Sequence, residues 1–193
     1  MRSVANTLFS GITVLGLLFT TTQAGDLQFQ SEHIEITVRE GGCLVEGEYR
    51  FMNASEKSLT QFPLYYPFPV SKDLPFPDSI VVTNTASDEM IPHSLTSGGI
   101  LFRIDVPGTG GCSYMVRYLQ SAPANRFEYI LLSTRQWAQP LRKAEFVIHI
   151  PENRQLEHMS HEANSISEKE GVRSYTILRE NFLPQSNLIL SWK

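Results

Sequence analysis

The sequence predicts an all-β protein, an antiparallel β-sandwich of about nine or ten strands that follows a cleaved signal peptide. Three observations support this fold class. Apolar and polar residues alternate with a period of two in many short runs. Clusters of Gly, Pro, Asn and Ser break these runs at intervals of about 8 to 12 residues, as the turns between strands do. No stretch of the chain shows helical periodicity.

The first 24 residues have the pattern of a secretory signal peptide. Arg2 precedes a mostly apolar stretch over residues 8–19, and the small residues Thr22 and Ala24 mark a cleavage site after Ala24. The apolar stretch is shorter than the roughly 18 residues that a membrane-spanning helix needs. We therefore expect export to the periplasm or the extracellular space, and one soluble domain over residues 25–193 with no membrane span.

The alternating runs define the strands and their faces, because one face of a half-buried sheet meets the core and the other meets water. The clearest runs are Ile34, Ile36 and Val38; Val45, Gly47, Tyr49 and Phe51; Ile100, Phe102, Ile104 and Val106; Phe146, Ile148 and Ile150; and Leu188, Leu190 and Trp192. Short Gly-containing turns predict that residues 100–106 and 112–118 form a hairpin, and that residues 34–38 and 43–51 form another. Residues 152–171 are polar and predict a long loop or a weak edge strand.

The two cysteines stand in matching contexts. Cys43 and Cys112 each follow a Gly-Gly pair and each open an alternating run. An even number of cysteines in an exported chain favours a disulfide over a metal site, and neighbouring parallel strands or facing sheets would bring the sulfur atoms together. We therefore predict a disulfide between Cys43 and Cys112, with two buried free thiols as the alternative.

Residues 62–77 are unusually rich in aromatic residues and prolines. Alternation places Phe62, Leu64 and Tyr66 on one face of a strand and Tyr65 on the other. The prolines that follow cannot donate to a sheet ladder, so the segment ends as an edge or a loop. We expect Phe76 to join the core and leave Phe68 open between core and surface.

Composition and motifs exclude several functions. The net charge at pH 7 is −4 and the basic residues form no run, so a nucleic-acid partner is disfavoured. The sequence contains no Gly-x-Ser-x-Gly, no phosphate-binding loop and no His-Glu-x-x-His. His158 and His161 are the closest pair of metal-capable histidines, but they lie in a polar segment where solvated side chains are the favoured interpretation. We predict no metal, no cofactor and no catalytic residue.

Asn53-Ala54-Ser55 matches the acceptor pattern for N-glycosylation at a predicted turn. The pattern would matter only in a eukaryotic secretory pathway. The favoured alternative is a turn in which the Asn and Ser side chains bond their own backbone.

Several motifs together carry a resemblance to known proteins. A Tyr-x-Leu-x-x-Thr pattern from Tyr129 to Thr134 precedes Trp137-x-x-Pro140, and further matches lie at residues 49–53, 66–69 and 182–184. This combination resembles an uncharacterised family of exported bacterial β-sandwich domains, although Arg135 stands where that family often has glycine. More distantly, residues 49–53 and 67–69 are similar to the domain shared by vault proteins and inter-alpha-trypsin inhibitor heavy chains. The resemblance implies a non-enzymatic extracytoplasmic domain and supplies no catalytic residue.

These observations leave three hypotheses of function. The first is a non-catalytic interaction or accessory module of the cell envelope, which meets an unidentified protein or glycan partner through an exposed aromatic surface. The second is a carbohydrate-binding module in which aromatic rings stack on sugars. The third is a secreted hydrolase built from distant carboxylates such as Glu48, Asp105 and Glu128. The candidate interaction residues are Tyr65, Tyr66, Phe68, Phe76 and Trp137, and for Trp137 we favour packing over ligand stacking.

Overall fold

A computed structural model describes residues 26–137 and 139–193, and it confirms the all-β fold. The described residues form thirteen strands, more than the nine or ten predicted, and one 3₁₀ helix at Leu132–Trp137. The strands are β1 Leu27–Arg39, β2 Gly42–Asn53, β3 Leu59–Pro67, β4 Asp78–Asn84, β5 His93–Thr96, β6 Gly99–Val106, β7 Gly111–Ser121, β8 Arg126–Tyr129, β9 Leu141–Pro151, β10 Leu156–Met159, β11 Ser165–Lys169, β12 Val172–Phe182 and β13 Leu188–Trp192.

One layer of the sandwich is a seven-stranded sheet with the order β11-β12-β9-β1-β2-β7-β4. Its central strand, β1, pairs antiparallel with β2 and parallel with β9. The sheet is therefore mixed, whereas the sequence predicted an antiparallel sandwich. Alternation alone does not distinguish the two, because side chains change faces with a period of two in both.

Two three-stranded sheets form the other layer, with the orders β3-β6-β5 and β10-β13-β8. Apolar side chains of all three sheets make one continuous core. Among its fully buried members are Ile34, Ile36, Val45, Ile100, Val116, Phe127, Phe146, Ile148, Ile177 and Leu190. Most of these residues belong to the alternating runs of the sequence, so the prediction of inward-facing residues is confirmed.

One of the two predicted hairpins is correct. β1 and β2 pair directly, with Ile36 opposite Val45, and the turn between them uses Gly41 at a φ of 74°. A positive φ of this size is unstrained for glycine but costly for most other residues. The hairpin therefore depends on that glycine.

The predicted hairpin between residues 100–106 and 112–118 is wrong. β6 pairs with β3 and β5 in one of the small sheets, while β7 pairs with β2 and β4 in the large sheet. The Gly-rich turn at residues 107–110 thus crosses from one layer to the other. A turn signal shows where a strand ends and carries no information about the sheet that the next strand joins.

The predicted disulfide is also wrong, because both cysteines are free thiols. Cys43 lies opposite Gln120 at one end of the β2–β7 pair, and Cys112 lies opposite Phe51 at the other end. Eight residues at about 3.4 Å each separate the two positions along the strands, roughly 27 Å, whereas bridged Cα atoms are less than about 7 Å apart. The strands are antiparallel neighbours, so two cysteines that each open a strand lie at opposite ends.

Residues 152–171 contain two short polar strands. β10 is an edge of one small sheet and β11 is an edge of the large sheet. Every residue of β11 is exposed, which agrees with the predicted weak edge strand. Backbone pairing with β12 and the ion pair between Arg173 and Glu168 hold this strand, so its sequence shows little apolar alternation.

The predicted signal peptide, residues 1–24, lies outside the described residues and stays a prediction. Within the described part of the chain, none of the helical structure has the length and apolar character needed to span a bilayer.

Candidate functional site

The aromatic residues of β3 follow the predicted alternation. Leu64 is buried and Tyr66 packs against the core, whereas Tyr65 on the opposite face is 42% exposed. β3 is an edge strand and pairs only with β6, which explains how it tolerates Pro63 and Pro67. The prediction of a strand that ends in a proline-rich edge is therefore confirmed.

Phe68 and Phe76 belong to the core. Phe68 is 3% exposed, and its ring meets Tyr118 edge-on with centroids 4.8 Å apart and Phe76 with centroids 5.3 Å apart. Edge-to-face packing of this kind is a favourable aromatic geometry. The expectation for Phe76 is confirmed, and Phe68, which the sequence left open, is also core.

Trp137 packs inward from the 3₁₀ helix. Its ring lies 5.8 Å from that of Phe29 and 5.5 Å from that of Phe51. Among the five candidate interaction residues, only Tyr65 has an exposed side chain, and the other four are buried or half-buried. The structure therefore does not form the expected aromatic contact surface or a flat platform for stacking on sugar, because the rings that would build it are used in packing.

Three tyrosine hydroxyls meet inside the sandwich, one from each sheet. The hydroxyl of Tyr49 on β2 lies 2.8 Å from that of Tyr66 on β3 and 2.7 Å from that of Tyr129 on β8. Gly47 leaves the space for this ring, since a Cβ at that position would collide with the Tyr49 hydroxyl. Burial raises the pKa of each of the three phenols. They stay protonated, and the cluster acts as a polar junction between the layers.

Glu32 lies on the inner face of β1 and is 5% exposed. Its Oε1 atom has no hydrogen-bond partner among the described residues. Burial raises the pKa of this carboxyl to about 8. Alternation places residue 32 on the same face as residues 34, 36 and 38, but a glutamate at the head of an apolar run does not by itself indicate burial.

The other face of the seven-stranded sheet points away from the two small sheets, and we call it the outer face. Residues that pair across neighbouring strands lie on the same face. His33 on β1 is thus flanked by Glu145 on β9 and Glu48 on β2, while Glu35 is flanked by Val147 and Glu46. The outer face therefore collects four glutamates in its centre, here called the carboxylate cluster: Glu35, Glu46, Glu48 and Glu145.

Two histidines connect to this cluster. The carboxylate of Glu35 lies between them, with Oε1 3.2 Å from Nε2 of His33 and Oε2 3.4 Å from Nε2 of His149. His33 also approaches Glu145, with Nδ1 3.7 Å from Oε2. The His33 and Glu35 side chains are 41% and 46% exposed, so the centre of the outer face is open to solvent.

Two basic side chains partly balance the four carboxylates. Arg117 Nε donates to Glu46 Oε1 at 2.9 Å, and Lys143 Nζ donates to Glu145 Oε2 at 2.7 Å. The bond from Lys143 is the main reason that the pKa of Glu145 is lowered. Glu35 and Glu46 nevertheless lie directly opposite each other, and like charges in that relation destabilise a sheet.

Ser174 on β12 adds a hydroxyl beside His149, with its Oγ 2.9 Å from Nδ1 of the histidine. Ser174 thus contacts His149, which in turn contacts Glu35, the order of contacts found for a nucleophile, its general base and the carboxylate that orients the base. The site lies on a paired strand of an open sheet, where backbone N–H groups are used in the ladder. Among the described residues, the paired backbone of this site therefore offers no free N–H groups to stabilise an oxyanion.

The other candidates from the sequence do not converge. The carboxylates proposed for a hydrolase, Glu48, Asp105 and Glu128, lie on three different sheets, on β2, β6 and β8. Asp105 accepts from the backbone of Gln61, and Glu128 accepts from Asn187. They form no shared acid–base pair.

His158, His161 and Asn53, which the sequence disfavoured as metal and glycan positions, show no such role in the structure. His161 bonds the neighbouring Ser160, and no group of three metal-capable side chains occurs in residues 26–137 and 139–193. Asn53 is 2% exposed and its amide nitrogen donates to the carbonyl of Lys57, while its Oδ1 accepts from the backbone of Ser55. Asn53 therefore forms the predicted turn, and the buried nitrogen is not available to a glycan.

A small cleft of about 60 Å³ lies at one end of the sandwich, between the start of β10 and the turn that joins β11 to β12. Arg154, Glu168 and Arg173 line it. Its volume suits a few water molecules rather than a sugar or a peptide side chain. The outer face is therefore the stronger candidate for an interaction site.

Comparison with known proteins supports the fold alone. No family model matches the chain, and no curated protein matches it. A crystal structure from Legionella pneumophila, provisionally described as a nutrient-binding protein, aligns with a TM-score of 0.65 at 14% identity and covers 86% of this chain and 67% of its own. An M1 zinc metallopeptidase from Deinococcus radiodurans aligns with a TM-score of 0.54 at 10% identity, over 86% of this chain and 42% of the peptidase. A two-domain M1 zinc metallopeptidase variant bound to L-arginine gives 0.52 at 9% identity and the same coverages. The chain thus spans less than half the length of these peptidases.

Proposed function

We propose that this protein is an exported, non-catalytic accessory module that holds a basic protein surface against the outer face of its seven-stranded sheet. The observation that carries the proposal is the carboxylate cluster, in which four glutamates gather in the centre of an open sheet face and basic side chains pair with only two of them. The sequence hypothesis of an accessory module is kept, but its contact surface moves from the aromatic segment to the outer face.

The charge arrangement supports a cationic partner. Glu35 opposite Glu46 costs folding stability through repulsion. A lysine or arginine brought in by a partner would offset that repulsion and gain attraction from several carboxylates at once. Such complementarity raises the association rate and selects against acidic competitors.

The shape of the face supports a macromolecular partner rather than a small ligand. Small-molecule sites are concave and enclose their ligands, whereas the outer face is a sheet surface whose side chains are open to solvent. Apolar side chains flank the charges, among them Val147, Leu119 and Leu178. A mixture of apolar and charged side chains is common where proteins bind one another reversibly.

The structural neighbours are compatible with an accessory role. In the M1 peptidases the similar region accounts for 42% of a longer chain. Fold similarity at this level of identity does not transfer activity. Export rests on the signal-peptide pattern alone, and mass spectrometry of the secreted protein should find an N-terminus at Gly25.

A fluorescent decalysine peptide tests the proposed surface. The wild-type protein should bind it at pH 7.5 and low salt, and the triple substitution Glu35→Gln, Glu46→Gln and Glu48→Gln should weaken binding at least roughly tenfold. The matched control removes three exposed acids elsewhere through Glu56→Gln, Glu89→Gln and Glu170→Gln. If both triple variants weaken binding equally, decalysine binding depends on the net charge of the protein and not on the outer face, and the proposal is overturned.

Hydrolysis is the second candidate, and the contacts from Ser174 through His149 to Glu35 are the observation that favours it. A fluorophosphonate probe tests this directly, because it labels activated serines. Labelling that Ser174→Ala abolishes would establish an activated nucleophile. Without an oxyanion site we expect no labelling.

A further inference from the structure

We propose that the outer face responds to pH, so that protonation of His33 and His149 cancels its negative charge and releases the basic partner. This inference rests on the proposed function and adds its regulation. The carboxylate of Glu35 lies within 3.4 Å of a ring nitrogen from each of the two histidines.

The surroundings of His33 are acidic on three strands. Glu35 follows it on β1, Glu48 lies opposite on β2, and Glu145 lies opposite on β9 with Lys143 bonded to it. A protonated imidazole at this position would form ion pairs with Glu35 and Glu145 without any change of backbone.

His149 is less exposed, at 24%, and lies between β1 and β12. Glu35 meets its Nε2 from β1 and Ser174 meets its Nδ1 from β12. Its neighbour on β1, Thr37, is neutral, and Arg39 ends that strand two residues further on. Protonation here would tie the second oxygen of Glu35 to His149.

The charge balance makes these two protons decisive. The four carboxylates and the two basic partners Arg117 and Lys143 leave an excess of two negative charges at neutral pH. Arg50, opposite Ser31, and Glu180, opposite Lys143, flank the cluster on the same face with opposite charges and leave this excess unchanged. Two imidazolium groups would cancel that excess, and histidine is the side chain that ordinarily changes charge between pH 5 and 8. Attraction for a basic surface should therefore be strong at neutral pH and weak in mild acid.

The experiment measures decalysine affinity at pH 5.5, 6.5 and 7.5 at constant ionic strength. Lysine stays protonated and isolated carboxyls stay ionised over this range, so the peptide charge does not change. Wild-type affinity should fall roughly tenfold or more from pH 7.5 to pH 5.5. The double substitution His33→Gln and His149→Gln should lose less than about twofold between its own affinity at pH 7.5 and its affinity at pH 5.5.

His158→Gln, on β10 in a different sheet, is the matched control and should keep the full pH dependence. Circular dichroism and thermal unfolding of each variant confirm that the fold is kept. Wild-type binding that does not change with pH, or a double variant that keeps the wild-type dependence, would overturn the inference while leaving the proposed function intact. Absence of decalysine binding at pH 7.5 would overturn the proposed function itself.

Discussion

Glu32 on β1 lies directly opposite Tyr49 on β2, and both side chains point into the core. The tyrosine hydroxyl is within hydrogen-bonding distance of two other hydroxyls, whereas Glu32 Oε1 has no partner among the described residues. The two neighbours thus offset the cost of burying a polar group in different ways. The Tyr49 hydroxyl is hydrogen-bonded, and the Glu32 carboxyl is held in its neutral, protonated form.

Glu32 should make the protein less stable as pH rises. Its carboxyl has a pKa near 4.5 when unfolded and about 8 when folded, so the folded state binds the proton more tightly. The free energy of unfolding should therefore fall between pH 4.5 and pH 8, by at most roughly 5 kcal/mol. Urea unfolding at pH 5.5 and 8.5 measures the fall, and Glu32→Gln should lack the part due to this group. Identical pH profiles for wild type and variant would show that Glu32 ionises normally.

The tyrosine junction should stabilise the sandwich. Tyr49→Phe removes the hydroxyl that bridges Tyr66 and Tyr129, so we expect a loss of about 1 to 3 kcal/mol in urea unfolding. The matched control is Tyr65→Phe on the exposed side of β3, which should change stability by less than about 0.5 kcal/mol. Equal effects of the two substitutions on the free energy of unfolding would show that the hydrogen bonds of the tyrosine junction do not stabilise the protein.

Phe68 should behave as a core residue. Replacing this 3% exposed ring with alanine should cost about 3 to 5 kcal/mol of unfolding free energy. Tyr65→Ala, three residues away on the exposed face, should cost much less. Both variants should bind decalysine as the wild type does, because neither residue lies on the outer face. A stable Phe68→Ala protein would contradict the inward orientation of the ring.

Both thiols should be free and slow to react. Burial raises the pKa of Cys43 well above its ordinary value and raises that of Cys112 to about 11, so few thiolates exist at neutral pH. A maleimide reagent should label neither quickly in the native protein, with Cys112 the faster of the two because it is less buried. In denaturant without reductant, both should be labelled. If the denatured protein reacts with maleimide only after reduction, the two cysteines form a disulfide and the prediction of free thiols is wrong.

Local patterns predicted the faces of the strands and the β1–β2 hairpin, but not the pairing of strands that lie far apart in the chain. Alternation placed Tyr65 outside and Leu64 inside, because burial acts on each side chain separately. The pairing of β6 with β3 rather than with β7, and the parallel pairing of β1 with β9, depend on contacts between distant parts of the chain. A reading of adjacent residues contains no such information.

The sequence does not indicate the candidate site, because its residues come from strands that are far apart in the chain. His33, Glu35 and His149 each look like an ordinary outward-facing polar residue of a strand in the sequence. Only the β1–β9 register brings His149 to a carboxylate more than a hundred residues earlier in the chain. Residues 62–77 stand out in the sequence because many aromatic residues and prolines occur close together, but most of these rings pack against the core.

The parallel pairing of β1 with β9 also determines when the fold can be completed. Residues 31–37 pair with residues 143–149, roughly 110 positions later, so one edge of β1 stays unpaired until about three quarters of the chain has been made. Until then that edge offers unpaired N–H and C=O groups beside an apolar row that includes Ile34 and Ile36, the conditions under which nascent sheets aggregate. A chain that must cross a membrane before folding would receive β9 only late in its passage. The order in which the polypeptide emerges thus keeps the centre of the large sheet open until β9 has arrived.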